Sequence, residues 1–334
     1  MKPIQEIILE FQNSIPGLEL ISNSLDMKEY GSDYTEDLYF PPAIVCFPRS
    51  TEEISLLLKI CNQHSFPVYT RGAGTGLSGA CLPVRNGLVL STKKLNKILD
   101  IDTKNLTVTV ESGVVNAIIK EAVESHGLYY PPDPASQGSC SIGGNLAHGA
   151  GGPRAVKYGI TRDYVLNLEV VLPTGDVIWT GANTLKNSTG FSLTHLMIGS
   201  EGMLGIITKA VLKLIPKPTQ ELLLLAAFTN LEDCASAVNA VLLSKFKPCA
   251  IELMEKSGIE ISMNATQTPF PTHESAEAYL LFAFDGFEGE DDLLIDAVDL
   301  TTVHSSKGLE WPAVFSPSLT ANRFPSMFSG RAQE

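Results

Sequence analysis

Residues 68–79 of this chain read Val-Tyr-Thr-Arg-Gly-Ala-Gly-Thr-Gly-Leu-Ser-Gly, with four glycines in the last eight positions. A dense glycine run usually marks backbone against which no Cβ can be tolerated, and the N–H groups of such a loop commonly point into a concavity that binds phosphate. The spacing Gly74-x-Gly76-x-x-Gly79 also matches the dinucleotide fingerprint, which requires a helix directly after it. Pro83 and the strand-like residues 87–92 follow instead. The sequence therefore predicts a phosphate-binding loop outside a Rossmann unit.

Three further segments carry residue types suited to the same kind of ligand. Residues 131–136 are rich in proline and end in a hydroxyl, residues 141–154 add glycine-rich backbone, and residues 198–207 read Ile-Gly-Ser-Glu-Gly-Met-Leu-Gly-Ile-Ile. In this order the four segments resemble the FAD-binding PCMH-type flavoproteins. Within that family the chain is similar to the FAD-linked subunit of glycolate oxidase and to the D-lactate and D-2-hydroxyglutarate dehydrogenases. The resemblance covers residues 37–218 and extends more weakly to about residue 286.

The resemblance implies a bound FAD and a set of residues that contact it. The glycine-rich loop would hold the pyrophosphate, residues 132–136 would flank the flavin, the Gly-Gly-Asn segment would lie beneath the ring, and residues 201–206 would face the adenosine. The implied cofactor-binding residues are Arg71, Gly72, Ala73, Gly74, Thr75, Gly76, Leu77, Ser78, Gly79, Pro132, Asp133, Ser136, Gly143, Gly144, Asn145, Gly151, Gly152, Glu201, Gly205 and Ile206. For Asp133 an ordinary turn remains an alternative, since aspartate favours turns in any case.

No histidine stands in the loop before Gly72, where some flavoproteins of this superfamily attach FAD covalently. We therefore expect non-covalent FAD. His148 follows the Gly-Gly-Asn segment and is the one candidate for a catalytic base near the ring, because histidine titrates in the range suited to proton transfer. A structural or solvent-exposed role for His148 remains open. No metal-binding motif is recognisable, so no metal is expected.

Composition and charge set the broader class. The 334 residues are 44% hydrophobic and 18% charged, which is typical of a globular protein long enough for two domains. The formal net charge of −13 argues against general binding of nucleic acid, whose affinity depends on basic residues. The six scattered cysteines indicate reduced thiols. With no signal-like N-terminus and no apolar run longer than residues 222–228, we expect a cytoplasmic protein without a membrane span.

Hydrophobic patterning predicts an α+β fold. The resemblance implies that a PCMH-type FAD-binding domain of two α/β subdomains precedes the truncated start of an α+β substrate domain. Capping boxes are predicted at residues 50–53 and 229–232, each opening an amphipathic helix. Strands are predicted at residues 43–47, 67–71, 87–92, 97–102, 107–111, 166–172, 177–179, 204–215 and 222–228. The predicted domains are an N-terminal helical segment at 1–36, the FAD-binding domain at 37–218, a partial FAD-linked oxidase C-terminal domain at 219–296, and a tail at 297–334.

The C-terminal part of the sequence does not follow the pattern of this family. In the family, the second domain supplies a substrate-binding arginine, metal-binding histidines and a histidine near flavin N5, and none of these motifs is present here. Residues 300–326 instead resemble a late motif of UvrD-like superfamily 1 helicases, although the chain contains no Gly-Lys dipeptide for a nucleotide phosphate loop. The acidic residues 285–299 are expected to form a solvated face or linker.

The leading interpretation is an FAD-dependent dehydrogenase or oxidase acting on a small 2-hydroxy acid. In this interpretation a hydride passes from the substrate α-carbon to flavin N5. Electrons continue to a quinone, a cytochrome, an electron-transfer protein or partner subunits of an oxidase complex. Two alternatives stay open, namely a truncated flavin-binding protein without catalytic activity and, remotely, a nucleic-acid-associated protein acting through its tail.

Overall fold

The computed structural model describes residues 3–35, 37–244, 247–287 and 313–315. These residues divide into two compact units. The first unit comprises Met1–Gly151 and Ile160–Pro216, and the second comprises Gly152–Gly159 and Lys217–Glu334. The predicted tail at 297–334 lies outside the described residues except for 313–315.

The first unit contains two sheets and a two-stranded ribbon. Its strands are β1 (Glu19–Ile21), β2 (Ile44–Phe47), β3 (Val68–Arg71), β4 (Leu88–Ser91), β5 (Ile98–Asp102), β6 (Thr107–Glu111), β7 (Leu128–Tyr129), β8 (Val165–Val171), β9 (Val177–Trp179), β10 (Ile206–Lys213) and β11 (Ile215–Pro216). The helices of both units are α1 (Ile4–Ser14), α2 (Thr51–Gln63), α3 (Asn116–Glu124), α4 (Ile142–His148), α5 (Ala155–Tyr158), α6 (Leu193–Met197), α7 (Leu231–Leu242) and α8 (Lys256–Thr266).

The first sheet has the strand order β1-β2-β4-β3. Strands β2, β4 and β3 are parallel, and β1 is antiparallel to β2. Helices α1 and α2 bury their apolar stripes against this sheet, with Phe11, Leu57 and Leu88 all inaccessible to solvent in one cluster. Since β3 ends at Arg71, the glycine-rich loop begins at the carboxyl end of a parallel strand, where open α/β sheets commonly bind ligands.

The second sheet is antiparallel with the order β5-β6-β10-β8-β9. Its central strand β10 carries the sequence that follows Gly205, so the 198–207 segment ends inside a sheet. The ribbon pairs β11 with β7. The N-terminal 36 residues, expected to be helical, also contribute strand β1 to the first sheet.

The second unit contains an antiparallel sheet of β12 (Gln220–Phe228), β13 (Ala250–Glu255), β14 (Ala278–Gly286) and β15 (Ala313–Phe315), in the order β13-β14-β12-β15. Alternate side chains of β12 and β14 face opposite sides. One side packs on α7 through Cys234 and Val238, and the other side packs on α8 through Ile259. This is an α+β arrangement, as predicted.

Two local predictions need correction. The second capping box was predicted from Thr229, but helix α7 is capped by Asn230, whose side chain accepts the Asp233 N–H. Asp285 was expected on a solvated face or linker, but it is a buried residue of β14 and pairs with Arg154 and Lys157 of the same unit. A carboxylate with two cationic partners can remain buried. Residues 288–299 of the same acidic stretch lie outside the described residues.

Candidate functional site

A cavity of about 420 Å³ opens beside the glycine-rich loop in the first unit. Its volume falls within the roughly 300–1,000 Å³ of small-molecule and cofactor sites. The structure brings most residues of the four predicted segments to this cavity. Those that line it are Gly72, Ala73, Gly74, Thr75, Gly76, Leu77, Ser78, Ser136, Gly143, Gly144, Asn145, His148, Gly151, Glu201, Gly205 and Ile206.

Five residues of the predicted set do not line the cavity. Arg71 is buried beneath the loop, where its Nη1 donates to the Ser32 carbonyl at 2.7 Å. The Gly79 N–H donates to Asp33 Oδ2 at 3.1 Å and so is directed at the protein. Pro132 and Asp133 are buried, and Gly152 belongs to the second unit.

Several lining residues were missed by the sequence reasoning. They are Asp33, Thr70, Ala80, Cys81, Thr92, Pro134, Cys140, Ser141, Ala147, Ala150, Gly202 and Ile207. Ser141 could have been found from its position as a hydroxyl residue directly before Ile-Gly-Gly. Asp33 has no such signal, because it lies 38 residues before Arg71 in a stretch without a motif.

Helix α4 and the residue before it contribute two buried polar side chains to the cavity wall. Ser141 precedes the helix and Asn145 lies within it, and both side chains are buried. In the described structure, neither Ser141 Oγ nor Asn145 Nδ2 has a protein hydrogen-bond partner. Buried polar groups are normally satisfied. Two such groups at a cavity therefore fit a ligand that carries both donors and acceptors, as the edge of a flavin ring and its ribityl chain do.

Gly143 and Gly144 differ in what surrounds them. A Cβ at Gly143 would lie 2.6 Å from the Cβ of Ser112 and 2.8 Å from its carbonyl oxygen, so contact with the protein itself requires glycine there. Packing against Ser112 alone is therefore enough to require glycine at position 143. A Cβ at Gly144 would meet only Ser141 Oγ, at 3.4 Å.

His148 and Glu201 meet at the cavity through pairing of their segments. The backbone of residues 199–201 docks on α4, with the Glu201 N–H donating to the Ala147 carbonyl at 2.9 Å. As a result, His148 Nδ1 lies 3.6 Å from Glu201 Oε1. The Ser78 hydroxyl lies 3.5 Å from the same oxygen. The glutamate thus joins the glycine-rich loop to the histidine, and both ionisable side chains remain accessible to a ligand.

Cys81 lies on the loop side of the cavity and is partly exposed. Burial raises the pKa of its thiol above the ordinary value, and the nearby Arg71 guanidinium opposes part of that shift. The thiol is therefore protonated at neutral pH. Among the described residues, no group of three or more histidine, cysteine, aspartate or glutamate side chains is arranged to hold a metal ion.

Comparison with protein families gives three matches. The FAD binding domain matches residues 42–181, and the C-terminal domain of FAD linked oxidases matches residues 217–303. The C-terminal domain of UvrD-like helicases matches residues 285–334, which overlap the end of the second match and lie largely outside the described residues. The predicted order of an FAD-binding domain and a partial oxidase domain is thereby confirmed.

Three curated relatives are similar to most of this chain. The chain is 44% identical over 257 residues to the glycolate oxidase subunit GlcD of Bacillus subtilis, covering 77% of this chain and 54% of that protein. It is 40% identical over 313 residues to a D-lactate dehydrogenase of Anaerostipes hadrus, covering 90% and 64%. It is 36% identical over 264 residues to a D-2-hydroxyglutarate dehydrogenase of Xanthomonas citri pv. viticola, covering 79% and 56%. The chain thus spans less than two thirds of the length of these relatives.

Solved structures share the fold at low identity. An alkyldihydroxyacetonephosphate synthase aligns with a TM-score of 0.76 at 21% identity, covering 89% of this chain and 59% of that one. A p-cresol methylhydroxylase aligns with a TM-score of 0.73 at 22% identity, covering 89% and 63%. Within the part of the chain that the structure describes, no helix combines the length and apolar character needed to cross a bilayer.

Proposed function

This chain belongs to the FAD-linked oxidases, and on that premise we propose that it is an FAD-dependent oxidoreductase that oxidises a small 2-hydroxy acid at its α-carbon. The observation that carries the proposal is the cavity built from the glycine-rich loop and α4, with unpartnered polar atoms in its wall. The names of the curated relatives, a glycolate oxidase subunit and D-lactate and D-2-hydroxyglutarate dehydrogenases, support the substrate class. The net charge of −13 also favours a small substrate over a polyanionic partner.

FAD, when bound, supplies the site that accepts a hydride from the substrate. In this proposal the backbone of residues 72–78 holds the pyrophosphate, since glycine lets successive N–H groups approach an anion closely. Ser141 Oγ and Asn145 Nδ2 hydrogen-bond the cofactor, which removes the cost of leaving them buried without partners. Glu201, Gly205 and Ile206 line the remaining wall.

His148 is the proposed base for the substrate hydroxyl. Its Nδ1 faces Glu201 Oε1 at 3.6 Å, so Nε2 is the ring nitrogen left to accept a proton. The carboxylate therefore orients the ring.

The electron acceptor in this proposal is a quinone, a cytochrome, an electron-transfer protein or partner subunits of an oxidase complex. A cytoplasmic location is also proposed. All six cysteines are free thiols and five of them are buried, which supports a reducing compartment.

Purification followed by an absorption spectrum tests the first part of the proposal. A flavin spectrum, with FAD released into the supernatant by acid precipitation, is expected for non-covalent binding. Anaerobic mixing with glycolate, D-lactate and D-2-hydroxyglutarate then tests activity, and bleaching of the flavin by at least one of them is expected. His148→Ala should slow that bleaching while dithionite still reduces the flavin.

Two outcomes would contradict separate parts of the proposal. A colourless protein that cannot be reconstituted with FAD would remove the cofactor assignment. A flavin that dithionite reduces but none of the three hydroxy acids bleaches would leave a flavin-binding protein without the proposed activity.

A further inference from the structure

A short loop that precedes the matched FAD-binding domain contacts the glycine-rich loop. The loop runs from Gly31 to Phe40, and its ends are joined by a hydrogen bond from the Phe40 N–H to the Gly31 carbonyl at 2.8 Å. The family match begins only at residue 42, so this loop lies outside it. We name residues 32–35 of this loop the bracing segment.

The bracing segment holds the glycine-rich loop at three separate points. Arg71 Nη1 donates to the Ser32 carbonyl at 2.7 Å, at the start of the loop. The Tyr34 N–H donates to the Gly76 carbonyl at 3.1 Å, in its middle. The Gly79 N–H donates to Asp33 Oδ2 at 3.1 Å, at its end. These contacts connect positions about forty residues apart in the chain, so they are tertiary contacts rather than a local turn.

The contacts also determine which loop groups face the cavity. A trans peptide is planar, with its N–H opposite its carbonyl. Since the Gly76 carbonyl is directed at Tyr34, the N–H of the same peptide, that of Leu77, is directed away from the bracing segment. At Gly79 the N–H, rather than the carbonyl, is directed at the bracing segment, where it donates to Asp33. Gly79 does not line the cavity.

Asp33 is the side chain on which this arrangement depends. Its Oδ1 accepts the Thr35 N–H at 2.8 Å, and its Oδ2 accepts the Gly79 N–H, with Cys81 Sγ 4.0 Å away. Both carboxylate oxygens are therefore engaged by the protein, although Asp33 also lines the cavity. A carboxylate beside a phosphate site would repel the ligand if its only effect were its charge.

We infer that Asp33 is a positioning residue of the cofactor site, which fixes the glycine-rich loop in the conformation that receives a dinucleotide pyrophosphate. The inference rests on the proposed function, because it concerns how that site binds FAD. It adds residues 32–35 to the site, and it assigns Asp33 a role exerted through Gly79 rather than through contact with the cofactor.

The test is the dissociation constant for FAD of Asp33→Ala and Asp33→Asn, measured by titrating FAD into apoprotein and following flavin fluorescence. Asp33→Ala should weaken FAD binding about tenfold, since it removes acceptors from two backbone N–H groups. Asp33→Asn keeps one oxygen acceptor and should fall between wild type and Asp33→Ala. If Asp33→Ala does not fold, weaker FAD binding by Asp33→Asn than by wild type supports the inference, and equal binding overturns it.

Asp102 provides a matched control. Its carboxylate likewise accepts two backbone N–H groups, those of Lys104 and Asn105, both at 2.9 Å, but it does not line the cavity. Asp102→Ala should leave the FAD dissociation constant unchanged, and its apoprotein melting temperature shows the structural cost of losing such a carboxylate. Relative to wild type, the melting temperature of apo Asp33→Ala should fall by no more than that of apo Asp102→Ala.

Three results would overturn the inference. Unchanged FAD binding in Asp33→Ala would exclude positioning, and tighter binding would mean that charge repulsion is the main effect of Asp33. Equal weakening in Asp33→Ala and Asp102→Ala would mean a general loss of stability. These results differ from a failure of the proposed function, in which wild type itself would not bind FAD.

Discussion

The guanidinium of Arg71 occupies the space that a Cβ on Gly74 would need. An added Cβ would lie 2.5 Å from Arg71 Cζ, and Gly74 has a φ of +73°, a conformation that other residues rarely adopt. Gly74 is thus required by the protein itself. Gly76 lies two residues further along the same loop, and a Cβ there would meet no protein atom within 4 Å. Contacts within the described protein therefore account for glycine at position 74 but not at position 76.

Gly76→Val should abolish or strongly weaken FAD binding without unfolding the apoprotein. The new side chain would enter the cavity and meet only the ligand, and overpacking of this kind costs about 1–3 kcal/mol. That cost corresponds to roughly fivefold to 150-fold in affinity. Titration with FAD and thermal unfolding of the apoprotein give the two readouts. A variant that melts like wild type and binds FAD equally well would place the pyrophosphate elsewhere.

Gly74→Ala should instead destabilise the apoprotein. The left-handed backbone alone costs about 1–2 kcal/mol for an alanine, and the displacement of Arg71 adds to it. The melting temperature of the apoprotein should therefore be lower for Gly74→Ala than for wild type. The apoprotein melting temperature of Gly76→Val should instead match that of wild type. Equal apoprotein stability of the two variants would contradict the assignment of Gly74 to a protein contact.

Cys81 should be the thiol that FAD protects from alkylation. It lines the cavity and is partly exposed, whereas Cys46 and Cys61 are buried and burial raises the pKa of both thiols, that of Cys61 to about 12. Because the thiolate is the reactive form and burial raises the pKa of Cys81 as well, its alkylation rate should still be increasing as the pH passes the ordinary thiol value.

Iodoacetamide labelling with peptide mass spectrometry measures this protection. Modification of Cys81 should be faster in apoprotein than in FAD-loaded protein, and Cys46 and Cys61 should be labelled only after denaturation. A Cys81 labelling rate that does not depend on FAD would contradict its position in the cofactor cavity.

Glu169→Ala should lower the free energy of unfolding by about 3–5 kcal/mol, as expected when one partner of a buried charged network is removed. The Glu169 carboxylate accepts the hydroxyls of Thr51 at 2.6 Å and Thr208 at 2.8 Å, and it lies 3.0 Å from Lys209 Nζ. It thereby joins the start of α2 to strands β8 and β10. Urea unfolding measures the change.

Glu19→Ala is the control for Glu169→Ala. Glu19 also pairs with a lysine, Lys94 at 2.8 Å, but about half of its side chain is exposed to solvent. Exposed ion pairs contribute about 0–1 kcal/mol. Similar effects of the two substitutions would show that the Glu169 network contributes little to stability.

The sequence predicted the elements of the site better than their spatial connections. The glycine-rich loop, the Ser50 cap of α2 and the strand at 206–213 follow from local composition and periodicity, because their signals lie within a few residues. The contact between Asp33 and Gly79 spans 46 residues and leaves no periodic pattern. Likewise, nothing in the local sequence distinguishes Gly151, in the first unit, from Gly152, in the second.

Arg154 illustrates the same limit. It follows a glycine-rich segment of the predicted site, yet its guanidinium pairs with Glu221 and Asp285 inside the second unit. The basic residue after a glycine run is a common sign of anion binding, and here the anions are carboxylates of the protein. The three-dimensional structure is needed to tell whether such a basic residue binds a ligand anion or pairs with a carboxylate of the protein.

Ser141→Ala should change apoprotein stability and FAD affinity in opposite directions. Ser141 Oγ is buried at the cavity without a partner among the described residues, so the apoprotein bears the cost of its desolvation. Removing the hydroxyl should leave the apoprotein equally stable or more stable. Loss of a hydrogen bond to FAD should weaken binding about twofold to tenfold, corresponding to roughly 0.5–1.5 kcal/mol.

Ser112→Ala separates this effect from simple removal of a buried hydroxyl. Ser112 Oγ is also buried and has no partner in the part of the chain that the structure describes, but Ser112 does not line the cavity. Both variants should therefore preserve or raise the apoprotein melting temperature, whereas only Ser141→Ala should raise the FAD dissociation constant. If both variants weaken FAD binding equally, the Ser141 hydroxyl does not contact the cofactor. If Ser141→Ala destabilises the apoprotein, the hydroxyl has a partner within the protein, and the cavity wall has lost one of the two polar atoms that make it suitable for a flavin.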